Sequence, residues 1–132
     1  MATVLTKNAR TVVASASNAA GATTHGTVDL RTAYGGFLTA KITNGSTGPT
    51  NQCVCNFLIA HNAGATPTAA SAGADWKTVW SFGGGTANSA ITEQTWDVPA
   101  GVMHLEVEFT GNTGQAVTVE AFFSEVTNAV SA

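Results

Sequence analysis

Alternation dominates the end of the chain. Val102–Phe109 and Ala116–Phe123 both carry apolar residues at every second position, and the turn-rich Gly111-Asn112-Thr113-Gly114-Gln115 joins them. Period two buries one face of a strand and leaves the other in water. The two runs therefore predict an antiparallel hairpin over a core. In the register that sets Thr110 against Ala116, Phe109 meets Val117, Val107 meets Val119, Leu105 meets Ala121 and Met103 meets Phe123. A slip of one residue would turn that apolar set outward.

The pattern recurs upstream. Thr11–Ser17 places Val12, Ala14 and Ala16 on one face, Thr27–Thr32 points Val28 and Leu30 inward, and Phe37–Thr43 does the same with Leu38, Ala40 and Ile42. Gln52–His61 is apolar on both sides, with Cys53, Cys55, Phe57 and Ile59 on one and Val54, Leu58 and Ala60 on the other. Such a strand is expected to be covered on both faces. Trp76–Phe82 groups Trp76, Trp80 and Phe82, and Ile91–Val98 stops at Pro99-Ala100-Gly101. Asn62–Asp75 is a long Ala/Gly/Thr/Pro connection, and connections of that length are usually functional or mobile. Residues 1–10 read as an N-terminal arm or edge strand, 11–126 as one domain and 127–132 as a loose tail. About eight strands, short turn intervals and no helical stripe predict an all-β, single-domain antiparallel β-sandwich of jelly-roll type.

Composition narrows the function. The 132 residues suit one domain with one core. Charged residues are only 10% of the chain, against roughly 25% in ordinary soluble proteins. Thr, Ser, Asn, Ala and Gly replace them, and a surface of that kind desolvates few full charges when it packs in an assembly. The net charge of −3, with Lys7, Arg10, Arg31, Lys41 and Lys77 scattered, argues against nucleic acid. No window approaches the ~20 apolar residues that span a bilayer. Thr11–Ala16 is too short and polar for a signal-peptide core, so the chain is expected to be made in a cytoplasm.

Candidate chemistry is sparse. Cys53 and Cys55 fit a disulfide poorly, because residues two apart on a strand sit roughly 6.5 Å apart. They read as two small buried hydrophobes, or as half of a zinc site lacking two further ligands. The hairpin register would set Glu106 opposite Glu120 with Glu108 beside them, and like charges across a ladder repel. Solvation, a subunit contact, or a Ca²⁺ or paired-carboxylate site would each relieve that repulsion. Phe122 is apolar on the polar side of the same hairpin, so it belongs either under the N-terminal arm or in an interface. Trp80 reads as core, and Trp76, entering its strand after the long loop, as partly exposed and able to stack on a sugar. Gly83-Gly84-Gly85 has no Lys or helix to make a phosphate cradle. Asn44-Gly45-Ser46 reads as a turn, and His25, His61 and His104 lack ligand spacing. No catalytic residue, metal ligand or cofactor site is assigned, and the chain is expected not to be an enzyme.

Trp96-Asp97-Val98-Pro99-Ala100-Gly101-Val102, followed by an alternating strand, resembles Val-Pro-Ala-Gly turns of jelly-roll modules in phage particles. With the Thr/Ala/Gly-rich, weakly charged character of the chain, the resemblance is to capsid decoration (cement) proteins of tailed bacteriophages. It implies a non-enzymatic virion protein on the capsid surface, bridging copies of the major capsid protein and self-associating as a dimer or trimer. Lys7 and Arg10 on the N-terminal arm would then reach a neighbour, and Phe122, Glu106, Glu108, Glu120 and Trp76 complete the candidate interface. The alternative is a carbohydrate- or receptor-binding module of a phage tail or fibre, with Trp76 and the loops Asn44–Asn51 and Asn62–Asp75 as its site.

Overall fold

A computed structural model describes residues 3–68 and 75–131, with the backbone alone at 3 and 128–131. Eight strands run β1 Thr3–Asn18, β2 Thr24–Asp29, β3 Gly36–Asn44, β4 Val54–Ala60, β5 Lys77–Gly83, β6 Ile91–Val98, β7 His104–Thr110 and β8 Val117–Ser131. They form two antiparallel four-stranded sheets, ordered β1-β8-β3-β6 and β2-β7-β4-β5. Strand partners nest as 1 with 8, 2 with 7, 3 with 6 and 4 with 5, which is the jelly-roll arrangement of two Greek keys.

The predicted hairpin is corrected by this topology. β7 pairs with β2 and β4, while β8 pairs with β1 and β3, so the two runs belong to opposite sheets. Alternation states which side chains face the core, and that reading holds: Leu105, Val107, Phe109, Val119, Ala121 and Phe123 are all buried. It does not state which strand lies alongside. The connection after β7 is an arch from sheet to sheet, with left-handed Gly111 and Gly114 (φ 94° and 81°). Buried Asn112 fills it, its amide donating to the carbonyls of Asn18, Ala19 and Gln115. Asn18 returns a 2.7 Å hydrogen bond to Asn112 Oδ1, tying the arch to the end of β1.

Between the sheets lie Leu38, Ala40 and Ile42 from β3, Cys55 and Phe57 from β4, Phe82 from β5, and the inward residues of β7 and β8, with Cys53 just ahead of β4. Phe57 is central, edge-on to Phe82 and tilted against Trp96. Both cysteines are free and buried, as expected of small hydrophobes. Gly35, just ahead of β3, and Gly36, which starts it, have φ of 76° and 151°. A Cβ on either would strike a main-chain carbonyl, of Val98 and Ser124 respectively, so only glycine lets the chain pass there.

Two other expectations shift for the same physical reason. Bulges beside Val13 change the phase of β1, so Val13 is buried and Ala14 and Ala16 are exposed. In β5, Phe57 faces Trp80 but Leu58 faces Thr78, leaving Val79 as an extra residue. Trp76 is thereby moved to the face opposite Trp80 and Phe82. Residues 127–131, expected to be loose, continue β8 alongside the start of β1.

Candidate functional site

Alternation gives each sheet a second, outward face, and the two outward faces differ. On the first sheet, outward positions carry Thr39, Lys41 and Thr43 of β3, Thr118, Glu120 and Phe122 of β8, and Ile91, Glu93, Thr95 and Asp97 of β6. Thr39 and Thr95 share a 2.8 Å hydrogen bond, and Lys41 Nζ lies 3.6 Å from Glu120 Oε1. Phe37, 60% exposed, faces Ser124, and Phe122, 46% exposed, faces Thr39, so the two rings are diagonal neighbours on adjacent strands. Phe122 is thus uncovered: β1 pairs beside it through Thr11 and does not lie over it.

This face continues into a ribbon. β3 starts opposite Glu125, and beyond that point β1 and β8 run on as a two-stranded extension, pairing Lys7 with Val126 and Thr3 with Ser131. Val4 and Leu5 are exposed there, as is Tyr34 at its base, whose backbone N–H donates to Val126 O. Lys7 is exposed on the ribbon. Arg10 lies at its root, 3.2 Å from buried Glu125, and covers that carboxylate where the core ends.

The second sheet has part of its outward face under a cover. The connection after β4 crosses it, and the structure pins that crossing at several points. Buried His104 Nε2–H donates to the Asn62 carbonyl at 2.9 Å, and its Nδ1 shares a 3.0 Å hydrogen bond with the Thr66 hydroxyl. Arg31 donates to the Ala63 carbonyl and forks onto Asp29, which holds the Asp29 carboxyl well below the ordinary carboxylate range. Trp76 is only 6% exposed, packs on Leu58 and Ala60, and donates its indole N–H to Thr68 O. The double-sided burial expected for β4 is met in this way, by the loop on one face and the core on the other.

Of the interface residues predicted from sequence, Phe122, Glu120 and Lys7 stand on exposed or half-exposed parts of the first sheet. Trp76 and Glu106 do not: Trp76 lies under the loop and Glu106 is fully buried on β7. Glu108, half-buried, accepts from Asn56, which in turn accepts from Ser81. The expected Glu106–Glu108–Glu120 group is not assembled, because Glu120 stands on the opposite sheet. Phe37 and Tyr34 were missed from sequence. Phe37 alternates correctly as an outward residue in its strand, and that was the available signal.

No protein-family model and no curated protein sequence matches the chain. Among solved structures it is similar to the K3 cleaved adhesin domain of Lys-gingipain from Porphyromonas gingivalis, at 14% identity and TM-score 0.54 over 86% of this chain and 74% of that one. The likeness is one of fold. Further matches are the SPBc2 prophage-derived protein YomS, at 20% identity and TM-score 0.45 over 94% and 97% of the two chains, and a family 16 carbohydrate binding module, at 9% identity and TM-score 0.45 over 89% and 76%.

Proposed function

We propose that this chain is a non-enzymatic virion protein that decorates and stabilises a phage capsid, bridging major capsid protein subunits through the outward face of its first sheet. One observation carries the reading: Phe37 and Phe122 stand exposed and diagonal on a sheet face otherwise made mainly of Thr and Ser, with Ile91 and a few charged residues. Aromatics of this kind anchor interfaces, and a face with few full charges is cheap to dehydrate. The β1–β8 ribbon, with Val4, Leu5 and Lys7, reaches past the sandwich toward a neighbouring subunit. Repetition over a shell multiplies weak contacts into high avidity. The resemblance of the Val98-Pro99-Ala100-Gly101 turn to phage jelly-roll modules agrees with this reading.

The test uses mature capsids with and without the purified chain. Decoration should raise the temperature at which the shells rupture, and Phe37→Ser with Phe122→Ser should cancel the gain. Identical rupture temperatures with and without the wild-type chain would refute the function.

A second reading, a carbohydrate-binding module of a tail or fibre, is favoured by a different ring. Trp80 is 48% exposed at the open edge between β5 and β6, its indole held by a 2.7 Å hydrogen bond to Gln94 Oε1. A fixed, exposed indole can stack on a sugar, whereas Trp76 is covered. Glycan-array binding that disappears in Trp80→Ala would favour this role over decoration.

A further inference from the structure

On the second sheet, β2 and β7 pair so that His25 stands opposite Glu108, with Glu106 two residues along β7 on the same face. Nδ1 of His25 lies 3.6 Å from Glu106 Oε2 and 3.7 Å from Glu108 Oε2. The three potential ligand atoms all fall within 4.8 Å of one another. Nδ1 itself is buried and has no hydrogen-bond partner among the described residues.

Those separations are informative. A hydrogen bond between imidazole and carboxylate would bring the atoms to about 2.7–3.2 Å. Two ligands held about 2.0–2.2 Å from one Zn²⁺ in near-tetrahedral geometry stand about 3.3–3.6 Å apart. The 3.6 Å separation from Glu106 lies at the upper limit of the second range and the 3.7 Å separation from Glu108 just beyond it, and both lie outside the first. A buried imidazole nitrogen aimed at two carboxylates, one of them on a fully buried side chain, is a donor set for a divalent metal. One nitrogen with two oxygens suits zinc-like ions better than Ca²⁺, which takes oxygen ligands alone.

We infer that His25, Glu106 and Glu108 form a divalent transition-metal site that pins edge strand β2 to β7. Three protein ligands leave a fourth position for water or a carboxylate oxygen. Asn56 is a positioning residue: its amide donates 2.9 Å to Glu108 Oε1 and orients that carboxylate, and Ser81 orients Asn56 in turn. Glu106 and Glu108, expected from sequence to meet Glu120, instead meet a histidine brought in from β2.

The test is calorimetric titration of the full chain, stripped with chelator, with Zn²⁺, followed by nitrogen-detected NMR of its imidazoles. One Zn²⁺ should bind per chain, raise the melting temperature, and shift the ring signals of His25 while leaving those of His61 and His104 in place. His25→Ala should abolish the shift and weaken binding at least tenfold. Asn56→Ala, which keeps all three ligands, should weaken it about 10–100-fold. Glu120→Gln, which removes a carboxylate from the opposite sheet, should bind like wild type. Absence of saturable one-to-one binding would overturn the site, and so would equal affinity in His25→Ala.

Discussion

Phe122 and Phe123 are consecutive, chemically identical and on opposite faces of β8, so truncating each in turn isolates the effect of facing. Phe123 is 1% exposed and stands against Leu38 of β3 within the sandwich. Removing a buried Phe side chain costs about 3–5 kcal/mol, counting lost transfer energy and the cavity left behind. A domain of this size has about 5–15 kcal/mol in all. With a urea dependence near 2 kcal/mol/M, Phe123→Ala should lower the unfolding midpoint by about 2 M. Phe122 already has nearly half its surface in water, and Phe122→Ala should cost about 1 kcal/mol or less. Its loss should be felt in partner binding instead. Urea melts followed by tryptophan fluorescence measure both. Equal midpoints for the two variants, or the larger drop in Phe122→Ala, would refute both the assigned facing of β8 and the docking surface built on it.

Three further outcomes follow from the same structure. Burial pushes the Cys53 thiol from 9.0 up to about 11, and Cys55 higher still, by burial and by the charges of Cys53 and Glu108. The unfolded thiols ionise first, so this stability is whole below about pH 9 and falls as pH rises toward 11, by about 2 kcal/mol from Cys53 alone. Urea midpoints at pH 8 and 10.5 should converge less in wild type than in the Cys53→Ala, Cys55→Ala variant; an equal alkaline decline in both would contradict the assignment. Asn112→Ala strips donors from three carbonyls of the arch and should destabilise by roughly 1–3 kcal/mol for each carbonyl left dry, whereas Thr47→Ala in an exposed turn should stay within about 0.5 kcal/mol; thermal melts compare them. Trp76→Ala removes the ring that clamps the long loop, and limited proteolysis should then cut faster within residues 61–68 while the strands resist; unchanged cleavage would mean that the clamp lies elsewhere.

The inward faces were legible because period two is a local property. Leu38, Ala40 and Ile42, or Val119, Ala121 and Phe123, need no knowledge of their partners to be placed inward. Strand pairing was not legible, because the arch at Gly111–Gln115 has the same turn-forming residues that a hairpin would have. That ambiguity misassigned Glu106 and Glu120 to one cluster, and it hid the meeting of His25 with Glu106 and Glu108, which exists only through the pairing of β2 with β7. Trp76 and Trp80 exchanged environments because one extra residue, Val79, shifts the phase of β5, and no composition marks a bulge. The coverage of β4 was visible as apolar residues on both faces. The identity of its cover was not, since His104 holds the loop from 42 residues away and Trp76 packs back on Leu58 and Ala60.

The first sheet, with its ribbon, is the surface proposed to meet a partner. Hydrogen exchange of the chain, free and bound to mature capsids, tests it most directly. Protection on binding should concentrate in Phe37–Thr43, Thr118–Ser124 and the ribbon around Val4–Lys7, with Asn62–Thr68 unchanged. Protection confined to Asn62–Thr68 and the second sheet, with Phe37 and Phe122 as open as in the free chain, would contradict the account.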